Sequence, residues 1–278
     1  MNIPVYNSKL KWAILAAGFT FLYLPIFILI IYSFNENRLV TVWSGFSFKW
    51  YFELLEDDLL MGGVKLSLII GFLSASAAVV LGTIAAFVVS RFGKFRGETG
   101  FAFMITAPLV MPEVITGLSL LLLFISMGQV FDLFSQRGMM TIWIAHVTFC
   151  TAYVTVVVSS RLQEVDRSVE EAAMDLGAPP WKVFFQITLP SISPAILAGW
   201  LLAFTLSLDD LVIASFVSGP SATTLPMVVF SSVRLGVSPK INALATLTIL
   251  AVAAATFIAW WLMARAEKRR LLEMKMSQ

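Results

Sequence analysis

The chain has one cysteine, one histidine and few charges. Cys150 cannot form an internal disulfide, and it sits in an apolar run, so it indicates neither a disulfide framework nor a redox compartment. His146 has Thr148 and Tyr153 nearby in sequence, but nothing there completes a metal site. It reads as a polar group packed between helices rather than a metal ligand or proton relay. Charged residues make up 13% of 278, against about 25% in soluble domains. The net charge is +2, so no nucleic acid or other polyanion is implied as a partner. No G-x-x-x-x-G-K-[ST] loop is present to cradle phosphates, and there is no serine-nucleophile motif. No segment is low-complexity, and no repeat of solenoid or propeller length recurs. Enzymatic chemistry, including nucleotide hydrolysis, is not expected of this chain, and it is expected to bind no cofactor.

Apolar residues are what the sequence has in excess. They form 59% of the chain, against about 45–50% in soluble domains, more than one soluble core hides. A bilayer core of about 30 Å needs about 20 apolar helical residues per crossing. Six stretches qualify: 12–33, 64–90, 101–127, 139–160, 195–217 and 241–264. The first follows Lys9 and Lys11 like a signal-peptide core, but it is too long and no small-x-small site follows, so it is expected to be retained. An all-α integral membrane protein with six transmembrane helices is the expected fold class.

Basic residues orient the spans. With the N-terminus inside, the inner segments hold Lys9, Lys11, Arg91, Lys94, Arg96, Arg161, Arg167, Lys182, Arg265, Lys268, Arg269, Arg270 and Lys275. The outer ones hold only Arg38, Lys49, Lys65, Arg137, Arg234 and Lys240. Both termini are therefore expected to be cytoplasmic. The outer loop 35–63 carries Trp43, Trp50 and Tyr51 beside Glu53, Glu56, Asp57 and Asp58. A short helix at the lipid headgroups accounts for these aromatics; docking of an extracytoplasmic protein is the rival reading. Small residues recur in two spans, Gly71, Ala75, Ala78, Gly82 and Ala86 in the second and Ala251, Ala255 and Ala259 in the sixth. Close backbone approach holds a bundle together in lipid, so these are expected packing faces.

Between the fourth and fifth spans the chain reads EEAAMDLGAPP over 170–180. Ser168 and Glu171 have the spacing of a capping box, and Glu170 and Glu171 suit the positive end of a helix. Gly177 stands where a left-handed C-terminal cap is expected. Pro179 stops that helix, and Pro180 suits the first turn of another over about 181–188 that presents Trp181, Phe184 and Phe185, with Pro190 ending it. A helix of about ten residues is marginal alone in water, so the first is expected to pack against something.

From Glu171 the residues read EAAMDLG, then nine residues on come Ile187, Leu189 and Pro190. This resembles, at every defined position, the E-A-A-x-x-x-G-x9-I-x-L-P loop of ABC importer permease subunits. The resemblance implies the type I ABC importer permease fold, one transmembrane domain over 1–278 with a cytoplasmic coupling loop at 161–194. It further implies that Glu170, Glu171, Ala172, Ala173, Asp175, Leu176 and Gly177 form a coupling helix seated in a cleft of a cytoplasmic ATPase. ATP and magnesium would then belong to two such ATPase subunits, which fits the missing phosphate loop.

Ionisable residues inside spans are costly and are functional candidates by default. Glu113 lies in APLVMPEVITGL, where Pro108, Pro112 and Gly117 loosen the helix; Asp209 and Asp210 lie in SLDDLVIASF. At about 1.5 Å rise per residue, Glu113 and Asp209 fall roughly 18 and 21 Å from the inner edge, in one layer. Clustered carboxylates in low dielectric call for a cation, although pairing with hydroxyls, backbone or a partner subunit is the alternative. Trp200 and Phe204, one turn apart, offer ring faces to an ammonium group, although plain helix or lipid contact explains them equally. The stretches SLDDLVIASFVSGPSATTLP and VSPKINALAT are similar to those of polyamine-importer permeases, closest to the second permease subunit of putrescine importers. That resemblance implies a second, non-identical permease, a periplasmic polyamine-binding protein, surrounding membrane lipid and a bacterial inner-membrane location. A secondary transporter coupling these carboxylates to protons or sodium is the alternative; it predicts paired broken helices and internal repeats, and the hydropathy has no such symmetry.

Overall fold

The computed structural model describes residues 8–39, 42–131, 136–236 and 238–276. In chain order the helices are α1 (Ser8–Ser33), α2 (Lys49–Leu55), α3 (Asp58–Arg91), α4 (Glu98–Val110), α5 (Glu113–Phe131) and α6 (Met139–Glu164). They continue with α7 (Arg167–Asp175), α8 (Pro180–Val183), a π-helical turn (Phe184–Thr188), α9 (Leu189–Asp209), α10 (Val212–Val217), α11 (Leu225–Leu235) and α12 (Pro239–Met276). Among the described residues, six helices are long and apolar enough to cross a membrane. Each overlaps one of the six expected stretches.

Two of the expected spans are not continuous. The third breaks at Met111, which is extended (φ −74°, ψ 136°), because the residue before a proline is pushed out of the helical region. Pro112 then starts α5 by accepting from the Ile115 and Thr116 amides at 2.9 and 3.2 Å. The fifth breaks at Asp210 (φ −67°, ψ 119°), the C-cap of α9. The straight-helix premise of the depth estimate is met along α9 but not across the α4–α5 joint.

The chain divides into two compact units, Met1–Asp58 with Ser231–Gln278, and Leu59–Phe230. In the first, α12 packs along α1 and α2. The loop between α1 and α2 is organised by Asn35, which is fully buried. Asn35 Nδ2 donates to Val42 O at 2.7 Å, and its Oδ1 accepts from the Ser44 amide at 3.1 Å. The expected short helix is present as α2, but two of its aromatics turn inward. Trp50 Nε1 donates to Asn35 O at 2.6 Å, and the Tyr51 hydroxyl lies 2.7 Å from Ser33 Oγ. Trp43 remains exposed. Of the small-residue stripe in the sixth span, Ala251 is exposed; the side chains of Ala255 and Ala259 lie outside the described residues, as do those of Lys9, Lys268, Arg269, Arg270 and Lys275.

The second unit is built around α6, which packs against α9, α4 and α10. The stripe on α3 behaves as a packing face: Gly71, Ala75, Ala78, Gly82 and Ala86 are all buried. A methyl on Gly82 would lie 2.7 Å from Val154 Cγ1, and one on Gly71 3.2 Å from the Phe204 ring. Gly82→Ala is thus expected to destabilise the protein by about 1–3 kcal/mol through overpacking. Gly62→Ala, on the same helix with open space around it, is expected to leave the melting temperature unchanged or raise it. Thermal melts of the two variants in detergent make the comparison.

Candidate functional site

The segment 165–190 forms a short, well-terminated helix and a longer one joined by a tight turn. Val165 and Asp166 are extended, which separates α6 from α7. The N-cap is Asp166 rather than Ser168: its Oδ1 accepts from the Ser168 amide at 2.9 Å. The helix begins at Arg167, two residues ahead of the start a Ser168 cap would give, and Glu171 falls in its second turn. Hydrogen bonds from the Ser168 amide and hydroxyl hold the Asp166 carboxyl below its usual range. A lowered folded value means the cap is in place above the ordinary carboxylate range and is lost as pH falls through the folded value.

The other end closes as expected. Gly177 has φ +89°, a conformation that side chains with a Cβ resist. Its amide donates to Met174 O at 2.9 Å and the Ala178 amide to Ala173 O at 3.1 Å, the paired bonds of a Schellman cap. Leu176 is 90% exposed, and Val169 and Met174 are exposed beside Glu171 and Asp175. Ala172 is exposed and Ala173 half-buried. A capped helix in this way presents leucine, valine and methionine to its surroundings with two carboxylates among them.

Glu170 turns the other way. It is buried, with Oε2 2.9 Å from Arg91 Nε and Oε1 accepting from Arg91 Nη2 at 3.2 Å. The Thr188 hydroxyl donates to the same Oε1 at 2.9 Å. Arg91 ends α3 and also donates to Val165 O at 3.4 Å, while Arg167 donates back to Ser90 O. One buried carboxylate thereby ties α7 to α3 and to the π-helical turn. Nothing in the motif names Arg91 or Thr188. The available signal was the Glu170–Glu171 doublet itself, because neighbours on a helix point about 100° apart and only one can face outward.

Pro190 does not end the second helix. From Pro180 the chain runs through the π-helical turn into α9, a continuous apolar rod over Pro180–Asp209. The Leu189 amide reaches back to Phe184 O, a five-residue step that resets the hydrogen-bond register just before Pro190, which cannot donate. Phe184 is half-buried against Phe87, with ring centroids 5.0 Å apart. Trp181 and Phe185 are exposed. At 1.5 Å per residue the rod is about 45 Å long, and it carries Asp209, with Asp210 next to it, at its far end.

Those carboxylates divide by environment. Asp210 is buried: Oδ1 accepts from the Ile213 amide at 3.2 Å, and Oδ2 accepts from the Ala214 amide at 2.7 Å and lies 3.1 Å from His146 Nε2. Asp209 and Glu113 are exposed and, among the described residues, have no ion-pair partner. A methyl on Gly117 would meet Ile213 and Phe216. Glu113 lies one turn before Gly117, and Asp210 three residues before Ile213, so the two helix breaks flank the same contact. Trp200 and Phe204 stack at 5.2 Å, and Trp200 Nε1 donates to Ser76 Oγ at 3.2 Å with Phe72 edge-on at 5.7 Å. They face α3, whereas Leu201, Thr205 and Asp209 line the exposed side of α9. Rings and carboxylates are not on one face. Among the described residues no three His, Cys, Asp or Glu side chains converge as a metal-binding group.

Known proteins share this architecture. A chain of a bacterial ABC transporter involved in the import of the acidic polysaccharide alginate superposes with a TM-score of 0.72 at 16% identity, over 93% of this chain and 99% of that one. A chain of the MetNI methionine ABC transporter does so at 0.56, over 75% of this chain and 95% of that one. In sequence, the putrescine transport system permease protein PotI of Escherichia coli K12 is 68% identical over 99% of this chain and 98% of its own length. The spermidine/putrescine transport system permease protein PotC of the same strain is 40% identical over 87% and 89%. The profile of the binding-protein-dependent transport system inner membrane component matches residues 78–271, a stretch that includes the capped helix, the rod and all three candidate carboxylates, and this chain belongs to that family of multi-pass ABC importer permeases.

Proposed function

We propose that this chain is one of two non-identical permease subunits of an ATP-driven polyamine importer, with putrescine, which both named relatives' systems transport, as its substrate. The observation that carries the coupling half of the proposal is α7: capped at both ends, rooted in α3 and the π-helical turn through Glu170, and exposing Leu176, Val169 and Met174. A cleft in a cytoplasmic ATPase is the partner such a helix fits, with ATP and magnesium held there. Both termini then lie in the cytoplasm, and a periplasmic polyamine-binding protein delivers substrate to the outer face.

Alternating access follows from rigid connection. When two ATPases close on ATP they draw this α7 toward its counterpart in the second permease. The displacement passes through the Arg91–Glu170–Thr188 cluster into α3 and the Pro180–Asp209 rod as a rigid-body movement. The rod ends at the Asp209–Asp210 joint, so the inner gate closes while the carboxylate layer opens outward. A diamine leaving water needs anions for its ammonium groups; Asp209 and Glu113 supply them, while the Trp200 and Phe204 rings, on the α3 side of α9, act as packing contacts. Glu171→Lys combined with Gly177→Pro is expected to remove ATP-dependent putrescine uptake in proteoliposomes while leaving the chain in the membrane. Intact uptake in that variant contradicts the coupling role of α7.

A further inference from the structure

We propose that His146 is a positioning residue for substrate transfer: by gripping both sides of the α9–α10 joint it fixes Asp210 inward and leaves Asp209 facing out. The proposal rests on the reading of Asp209 as a ligand for a cationic substrate. His146 stands on α6 and is 1% exposed. Its Nδ1 lies 2.7 Å from Ser207 Oγ in the last turn of α9, and its Nε2 3.1 Å from Asp210 Oδ2 at the joint. Ser207 and Asp210 are buried as well.

One tautomer satisfies this set. A carboxylate only accepts, so Nε2 carries the proton toward Asp210, and Nδ1 accepts from the Ser207 hydroxyl. Asp210 meanwhile caps α10 through the Ile213 and Ala214 amides. Two amides and one imidazole N–H thus hold a single buried carboxylate, and the chain has no freedom to continue α9 through residue 210. Were the helix to continue, Asp210 would take a helical position about 100° from Asp209, and its carboxyl would leave the extended geometry from which it caps α10 and meets His146. With the joint pinned, Asp209 is exposed on the face of Leu201 and Thr205 and has no ion-pair partner among the described residues.

The test uses the assembled importer with His146→Asn, which keeps an amide near the Nδ1 position, and His146→Gln, which keeps one near Nε2. In a background with Cys150→Ser, labelling by a cationic methanethiosulfonate reagent is timed at Asp209→Cys and at Thr205→Cys, one turn earlier on the same face. His146→Asn is expected to change the rate at position 209 by about fivefold or more and at 205 by less than about twofold, and to raise half-saturating putrescine about tenfold, as for a lost buried hydrogen bond to a charge. His146→Gln is expected to stay within about threefold of the parent on both measures. Ser207→Ala, which leaves the histidine in place, is expected to move both in the same direction by less. Unchanged labelling and half-saturation in His146→Asn and Ser207→Ala overturn the proposal, as does an equal change at 205 and 209. If Asp209→Asn leaves uptake intact, the cation-ligand reading fails instead, and the labelling comparison still decides what His146 does.

Discussion

Arg91→Ala is expected to reduce ATP-driven uptake by about a hundredfold or more, because it leaves Glu170 buried without its cation. The side chains are 8% and 10% exposed, and breaking such a pair from one side costs about 3–5 kcal/mol. The loss falls where α7 is fastened to α3, so the helix detaches from the bundle before the bundle unfolds. Faster amide exchange confined to 167–178 checks that localisation. Exchanging the charges, Arg91→Glu with Glu170→Arg, is expected to recover part of the uptake. Replacing both with apolar residues (Arg91→Met, Glu170→Leu) is expected to recover thermal stability, since an apolar pair of similar volume often matches a buried ion pair. The Thr188 hydroxyl then has no carboxylate to bind, and coupling to the rod stays weak. Separation of stability from uptake in that double variant distinguishes a force-transmitting cluster from a simple staple.

Asp209→Asn is expected to lower uptake at subsaturating putrescine by about ten- to a hundredfold, the scale of an ammonium group deprived of a charged partner at a poorly solvated site. Its exposure on α9 means that nothing in the described packing is lost, so assembly and melting temperature should match the parent. Asp209→Glu should retain most of the activity. Asp210→Asn behaves differently, because an amide has one acceptor oxygen where two backbone amides and His146 require two. It is expected to lower the melting temperature as well as the uptake. Uptake and melting curves measured on both variants separate ligand from cap. If the two fall together in both respects, the division between the adjacent carboxylates is wrong.

Much of this was legible in the residues. Six apolar stretches gave the spans, since length and hydropathy alone set the crossing. Gly177 announced its left-handed cap, and the small residues of α3 announced a packing face. The misreadings share a cause, which is that spacing does not say which of two adjacent groups the tertiary structure takes. Ser168 and Asp166 both suit an N-cap; the extended Val165 delivers the chain so that Asp166 takes it. Glu170 and Glu171 both suit the first turn, and Arg91, far away in sequence, decides which is buried. Pro190 signals a stop until a π-helical turn resets the register ahead of it. Asp209 and Asp210 read as a like-charged pair, and the tertiary structure buries only Asp210; His146 is the polar group packed between helices that its sequence context suggested, and Asp210 is one of its two partners.

The account stands on α7 being gripped by a separate ATPase. Leu176, at its exposed tip, gives the most direct measurement: Leu176→Cys in the Cys150→Ser background, challenged with a short bifunctional thiol reagent in the assembled importer whose ATPase carries single cysteines along its cleft. A cross-link to the ATPase that forms in high yield, and whose rate changes on adding ATP, is the predicted result. A residue 176 that stays freely reactive toward water-soluble reagents and links to no ATPase position, with or without ATP, contradicts it.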